Sequence, residues 1–179
     1  MVAPGGARVA WSTAADAPRR AVARALLRDL LAPDFGDIHF EQECPACGSR
    51  NHGPLHAIAA DGRATPLVGV SYAGTVAVAA VGPVGAVEFG IDAELDSPRT
   101  RAAIAEALSD LPDPSIREWT ALEAMAKARG AGLRGDWQHP DAAGFDVTHL
   151  PLPALQRAQD PPVEGPPPQL IVAIATRLT

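Results

Sequence analysis

Three short Val-rich runs in the middle of the chain constrain its fold most. Residues 67–72, 75–81 and 86–94 alternate branched and small apolar residues, and only Ala73-Gly74 and residues 82–85 separate them. Such runs, bounded by glycine and proline, predict strands, and connections this short predict neighbouring antiparallel strands. Helical spacing flanks them. Val22, Leu26, Leu27, Leu30 and Leu31 recur one turn apart with arginines between them, predicting a helix over 17–31 that Pro33 ends. A second helix is expected over 102–108. A third is expected over 114–129, with Asp113 as cap, Pro114 as first helical residue and Gly130 as stop. Short strands are expected over 7–11 and 38–41, and closing strands over 144–148 and 169–175. Residues 1–6 are expected to be loose, 44–54 a loop and 159–168 a Pro-rich loop. No simple repeat is visible, but helix followed by strands occurs twice. The expected class is therefore α+β, one unit of 179 residues with approximate halves 1–82 and 83–179.

Composition narrows the function. At 47% hydrophobic residues the chain is of globular type. A net charge of -6 argues against a nucleic-acid partner held by phosphate neutralisation, though not against a local basic patch. No apolar run approaches bilayer length, and no basic segment followed by an apolar stretch opens the chain. Together with only two cysteines, this predicts a cytoplasmic protein with reduced thiols and no membrane partner.

The chemistry-bearing residues are few. Lys127 is the only lysine beside fourteen arginines. An ammonium exchanges a proton where a guanidinium does not, so a single Lys four residues after Glu123 points to chemistry. The competing reading is a coding bias that left one lysine on a solvated helix face. Glu123 and Lys127 lie one helical turn apart, and Ile116 and Trp119 continue their stripe toward the core. Asp92 and Glu94, in Gly90-Ile91-Asp92-Ala93-Glu94, are alternate residues of a strand and project to one face. If strand and helix are neighbours, three carboxylates converge and need a cation. Mg²⁺, a hard ion that keeps water and substrate phosphates in its shell, is the expected one. Cys44 and Cys47, with His52 and His56, offer a zinc site as an alternative. A single C-x-x-C without a second pair favours a loop whose small residues approach a cofactor.

Taken as a set, these residues resemble the 4′-phosphopantetheinyl transferases of the larger, pseudo-dimeric type. That family carries G-[VI]-D-x-E followed by W-[ST]-x-K-E-[AS]-x-x-K and a G-x-G-L turn. This chain has Gly90 to Glu94, Trp119 to Lys127 and Gly130-Ala131-Gly132-Leu133. Arg24-Ala25-Leu26-Leu27 is similar to its R-x-L-L helix. Cys44 to Gly48 with His52-Gly53-Pro54 resembles the C-x-x-C-G and H-G-x-P loop of actinobacterial members, and Ser71-Tyr72-Ala73-Gly74 stands where the family has S-H-S-x-G.

The resemblance implies two similar α+β halves related by a pseudo-two-fold, with coenzyme A between them. It implies Mg²⁺-dependent transfer of the 4′-phosphopantetheine arm to a serine of an acyl or peptidyl carrier protein. Asp92, Glu94 and Glu123 would hold the metal, Glu123 would also take the serine proton, and Lys127 would stabilise or protonate phosphate oxygens. Arg24 would face the 3′-phosphate, His52, Gly53 and Pro54 would border the adenine, and Ser71 and Tyr72 would approach the phosphates. Three positions depart from the pattern. Leu122 replaces the first motif lysine, Tyr72 replaces a histidine, and Pro54 follows His52-Gly53 where a cation is usual. They imply modest coenzyme A affinity and leave open two alternatives. One is a degenerate member with little transferase activity; the other is a small zinc-stabilised binding module.

Overall fold

Two three-stranded antiparallel sheets lie face to face, with helices on their outer faces. The computed structural model describes residues 1–14, 17–130, 142–153 and 169–179. The expected 131–133 part of the glycine turn and the Pro-rich loop over 159–168 fall outside those residues. The first sheet contains β1 (Arg8–Thr13), β4 (Val68–Ala73) and β5 (Val76–Val81) in the order β1-β5-β4. The second contains β6 (Ala86–Leu95), β7 (Asp146–Pro153) and β8 (Gln169–Leu178) in the order β6-β8-β7. A separate hairpin, β2 (Ile38–Gln42) with β3 (Leu55–Ala59), sits beside the first sheet. Helix α1 (Arg19–Phe35) covers the first sheet. α3 (Ile116–Ala128) covers the second, with α2 (Pro98–Ala107) beside it.

Side-chain alternation explains the layering. In β5, Val76, Val78 and Ala80 enter the core between the sheets, whereas Ala79 and Val81 face α1 through Leu27 and Leu31. In β8, Leu170, Val172 and Ile174 join the same inter-sheet core, whereas Ala173 and Ala175 face Ala124 and Met125 of α3. Both central strands are thus buried on two faces, which is why they read as unbroken apolar runs. In each of these two sheets, the two strands earlier in the chain are the edges and the last strand is the centre.

Several expectations needed correction. β6 does not extend the β4–β5 hairpin; it pairs with β8 and opens the second sheet, meeting β4 only across the seam. The segment 1–6 is anchored. Pro4–Gly6 form a 3-10 turn, the Met1 amino group donates to the Val9 carbonyl at 2.8 Å, and Ala3 and Ala7 are buried. α1 runs through Pro33 to Phe35, where Gly36, at φ 65°, caps it by donating to the Ala32 carbonyl. A proline in the last turn forfeits one helical hydrogen bond near an end that frays anyway. α3 starts two residues late. Ser115 is its cap, in a reciprocal capping box with Glu118, and this satisfies more N-terminal donors than Asp113 before Pro114 would. α2 begins at Pro98 behind the Ser97 cap. Strand β3 follows the expected 44–54 loop directly and has no counterpart among the expected strands. β7 extends past Thr148 through Pro151 to Pro153, which an edge strand tolerates because its outer N–H groups need no partner.

Candidate functional site

Gly90 is the reason a site can form here. A Cβ at this position would lie 2.5 Å from the Ala128 nitrogen and closer still to the Ala124 carbonyl oxygen. Only glycine lets the α3 backbone sit directly on β6. Residues 90, 92 and 94 share the face turned to α3, so the close approach brings Glu123 and Lys127, on facing turns of the helix, over Asp92.

Four residues from three elements, β4, β6 and α3, meet there. The Lys127 ammonium donates to Asp92 Oδ1 at 2.5 Å and lies 3.3 Å from Glu123 Oε2. Ser71 of β4 reaches across the seam. Its hydroxyl donates to Asp92 Oδ1 at 3.0 Å, accepts from the Ala93 N–H at 3.1 Å and lies 3.4 Å from the Lys127 ammonium. Asp92 is 2% exposed and Ser71 4%, whereas the Lys127 side chain is 38% exposed, so the cluster opens to solvent on the lysine side. Asp92 Oδ2 is buried and lacks a hydrogen-bond partner among the described residues.

The electrostatics follow from this crowding. Burial, and then the Asp92 charge, raise the Glu123 carboxyl from 4.5 to about 7, against the pull of Lys127. Glu94 is raised for the same two reasons, burial first, while a hydrogen bond from Trp119 and the Lys127 charge oppose the rise. Burial lowers Lys127, but Asp92 and Glu123 outweigh it and hold the ammonium above its ordinary value. Lys127 is thus held as a positive charge at neutral pH. Glu123 is the group poised near neutrality.

The set fits a hard divalent cation in donor chemistry: three carboxylates, an orphaned buried oxygen on Asp92, and two carboxyls that burial and like charge keep from ionising freely. A proton shared between Glu123 and Asp92 answers the same need. The three carboxylates do not form one group of ligand atoms all within 4.8 Å of one another, and the Lys127 ammonium already contacts two of them. Among the described residues, only Cys44, Cys47 and His52 bring three ligand atoms all within 4.8 Å of one another.

The remaining expected residues line two adjoining cavities. The smaller, about 170 Å³, is walled by Arg24, His52, Gly53 and Tyr72, with Arg20 and Gln42. The larger, about 490 Å³, shares His52 and Gly53 and continues past Pro54 to Gly90, Ile91 and Lys127. Asp92 and Ser71 lie behind this wall: Lys127 is the member of the polar cluster that faces the cavity. Arg24 donates to Gln42 at 3.4 Å. Tyr72 lies under the Arg19 guanidinium at 5.3 Å, and burial raises its phenol despite Arg20, Arg24 and Arg19 nearby, so it stays a donor. Sequence reasoning missed Arg20, although its spacing of four from Arg24 puts both on one face of α1. It also gave Trp119 no polar role.

No protein-family model matches the chain, and no curated protein matches it significantly.

Proposed function

We propose that the chain is a phosphopantetheinyl transferase of the holo-[acyl-carrier-protein] synthase type, moving the 4′-phosphopantetheine arm of coenzyme A to a carrier-protein serine. The observation that carries this reading is the convergence of Ser71, Asp92, Glu123 and Lys127, with Lys127 facing the larger cavity, which adjoins a smaller one lined by Arg20 and Arg24. The common strand order of the two sheets supports two similar α+β halves, divided near residue 82.

In this reading coenzyme A lies along the two cavities. Arg24 and Arg20 take the 3′-phosphate, and His52, Gly53 and Pro54 border the adenine. The pyrophosphate comes to rest beside Lys127. The carrier serine oxygen attacks the phosphorus that bears the pantetheine arm. A new oxygen–phosphorus bond forms there, the bond to the adenosine bisphosphate breaks, and that group leaves. Glu123, ionised above about pH 7, accepts the serine proton. Lys127 offsets charge gathering on the phosphate oxygens, and Ser71 holds Asp92 and Lys127 in register. Mg²⁺, held by Asp92, Glu94 and Glu123, would neutralise pyrophosphate charge.

The second reading, a degenerate member that binds coenzyme A or a partner protein with little transfer, has its own support. Leu122, in place of the first motif lysine, packs into apolar clusters with residues such as Ile116 and Ala173 rather than offering a charge. Incubation with coenzyme A, Mg²⁺ and a panel of apo carrier proteins tests both, with intact mass reporting the added arm. Transfer that Asp92→Asn abolishes is expected. Calorimetry that shows coenzyme A binding without transfer to any carrier would favour the second reading, and binding of neither coenzyme A nor any carrier protein would end both.

A further inference from the structure

The loop that connects β2 to β3 is shaped more tightly than a spacer needs to be. It reads Cys44-Pro45-Ala46-Cys47-Gly48-Ser49-Arg50-Asn51-His52-Gly53. The Cys47 and Gly48 N–H groups both turn back to the Cys44 carbonyl, at 3.3 and 2.8 Å, and the Cys44 N–H donates to the Ser49 carbonyl at 2.8 Å. Gly48 completes this turn at φ 68°. Gly53 then brings the chain back. At φ 107°, a Cβ there would lie 2.7 Å from Cys44 Cα and 2.7 Å from the Glu43 carbonyl oxygen, which is backbone and cannot yield. Gln42 fixes the return by donating to the Gly53 carbonyl at 2.9 Å, and Arg20 donates to the Asn51 carbonyl. The product of these constraints is that His52 is pressed against the cysteine turn.

Cys47 Sγ stands 3.3 Å from His52 Nε2, and the ligand atoms of Cys44, Cys47 and His52 all lie within 4.8 Å of one another. Zinc bonds of about 2.3 Å to sulfur and about 2.0–2.1 Å to nitrogen, at tetrahedral angles, put sulfur and nitrogen ligands about 3.5 Å apart. The observed spacing therefore needs only small side-chain adjustment. Two soft thiolates and an imidazole select zinc over magnesium or calcium.

We propose that Cys44, Cys47 and His52 bind one Zn²⁺ ion, which clips the loop shut at the rim of the larger cavity. Cys44 and His52 also line that cavity, so the ion would set the position of its wall. His56 lines it too, from β3, but does not belong to the close group of ligand atoms; the fourth position is left to water. This site is distinct from the carboxylate cluster and needs no transferase activity to be tested.

The test uses the whole chain, purified with a phosphine reductant, offered equimolar zinc and passed through gel filtration before elemental analysis. About one zinc per chain is expected, and cobalt in its place should give thiolate charge-transfer absorption and the strong visible bands of a four-coordinate ion. Cys47 is exposed, so Cys47→Ser should keep the native circular dichroism while losing the metal and those bands. His52→Ala should lose them as well. Wild-type protein with reduced thiols that retains less than about a tenth of an equivalent overturns the proposal. So does zinc that stays bound, undiminished, in Cys47→Ser.

Discussion

Lys127 makes its contacts as a compact tetrahedral charge: Asp92, Glu123 and Ser71 each face one side of the ammonium. Removing that charge leaves Asp92 buried and unpaired. Lys127→Met should therefore cost roughly 2–3 kcal/mol in urea unfolding, toward the low side for a buried pair because the lysine is partly solvated. A variant as stable as the parent would show that the pair contributes nothing. Lys127→Arg retains charge, but its planar fork cannot meet three partners arranged about a point. Single-turnover transfer is expected to fall on the order of 10²-fold in Lys127→Ala and to be only partly rescued by arginine, with coenzyme A still bound. Full rescue by arginine would mean that charge alone suffices. Glu123 makes the pH dependence distinctive. Its folded value, about 7, lies above the unfolded 4.5, so its contribution to stability is complete below pH 4.5 and is lost as pH rises to 7. That loss is on the order of 3 kcal/mol. Melting temperatures between pH 5 and 7.5 should decline in the parent and flatten in Glu123→Gln. Identical slopes would refute the assignment.

Helix α3 depends on two local devices, one at its start and one in its middle. The Ser115–Glu118 capping box fixes where the helix begins, and so which turn carries Glu123. The small residues Ala124 and Ala128, against Gly90, set how close it lies to β6. A methyl group at position 90 meets helix backbone, not a flexible side chain. Gly90→Ala should lift α3 from the sheet, cost about 1–3 kcal/mol as an overpacked contact, and draw Lys127 away from Asp92. A crystal structure and a thermal melt of this variant check both effects. An unchanged Lys127–Asp92 distance with unchanged stability would show that Gly90 does not set the approach of α3.

The whole molecule carries a net charge of -6, yet Arg20, Arg24 and Lys127 border one continuous pair of cavities along the seam between the sheets. Attraction for an anionic ligand is therefore local, exposed and few-charged. Calorimetry with coenzyme A is expected to give measurable but modest affinity that weakens several-fold between low and high salt, as the Debye length shrinks to a few ångströms. Salt-independent affinity would place the ligand in an apolar site away from these cations.

Short-range pattern was enough for the β4–β5 hairpin, for the apolar stripes of α1 and α3, and for the pairing of Asp92 with Glu94 and of Glu123 with Lys127. Each of these rests on a period of 2 or 3.6 residues and a turn residue, which neighbours in the chain dictate. The choice of partner strand was not readable in this way. β6 looks like a third hairpin strand and goes instead to β8, because Leu170, Val172 and Ile174 complete a core that no local window contains. Ser71 gave no sign that its hydroxyl would join β4 to β6, since that bond spans 21 residues and exists only where two sheet edges meet. The buried carboxylate, the near-neutral Glu123 and the closed cysteine–histidine loop are likewise products of desolvation and close approach. Those depend on what is packed nearby in space, not on what is adjacent in sequence.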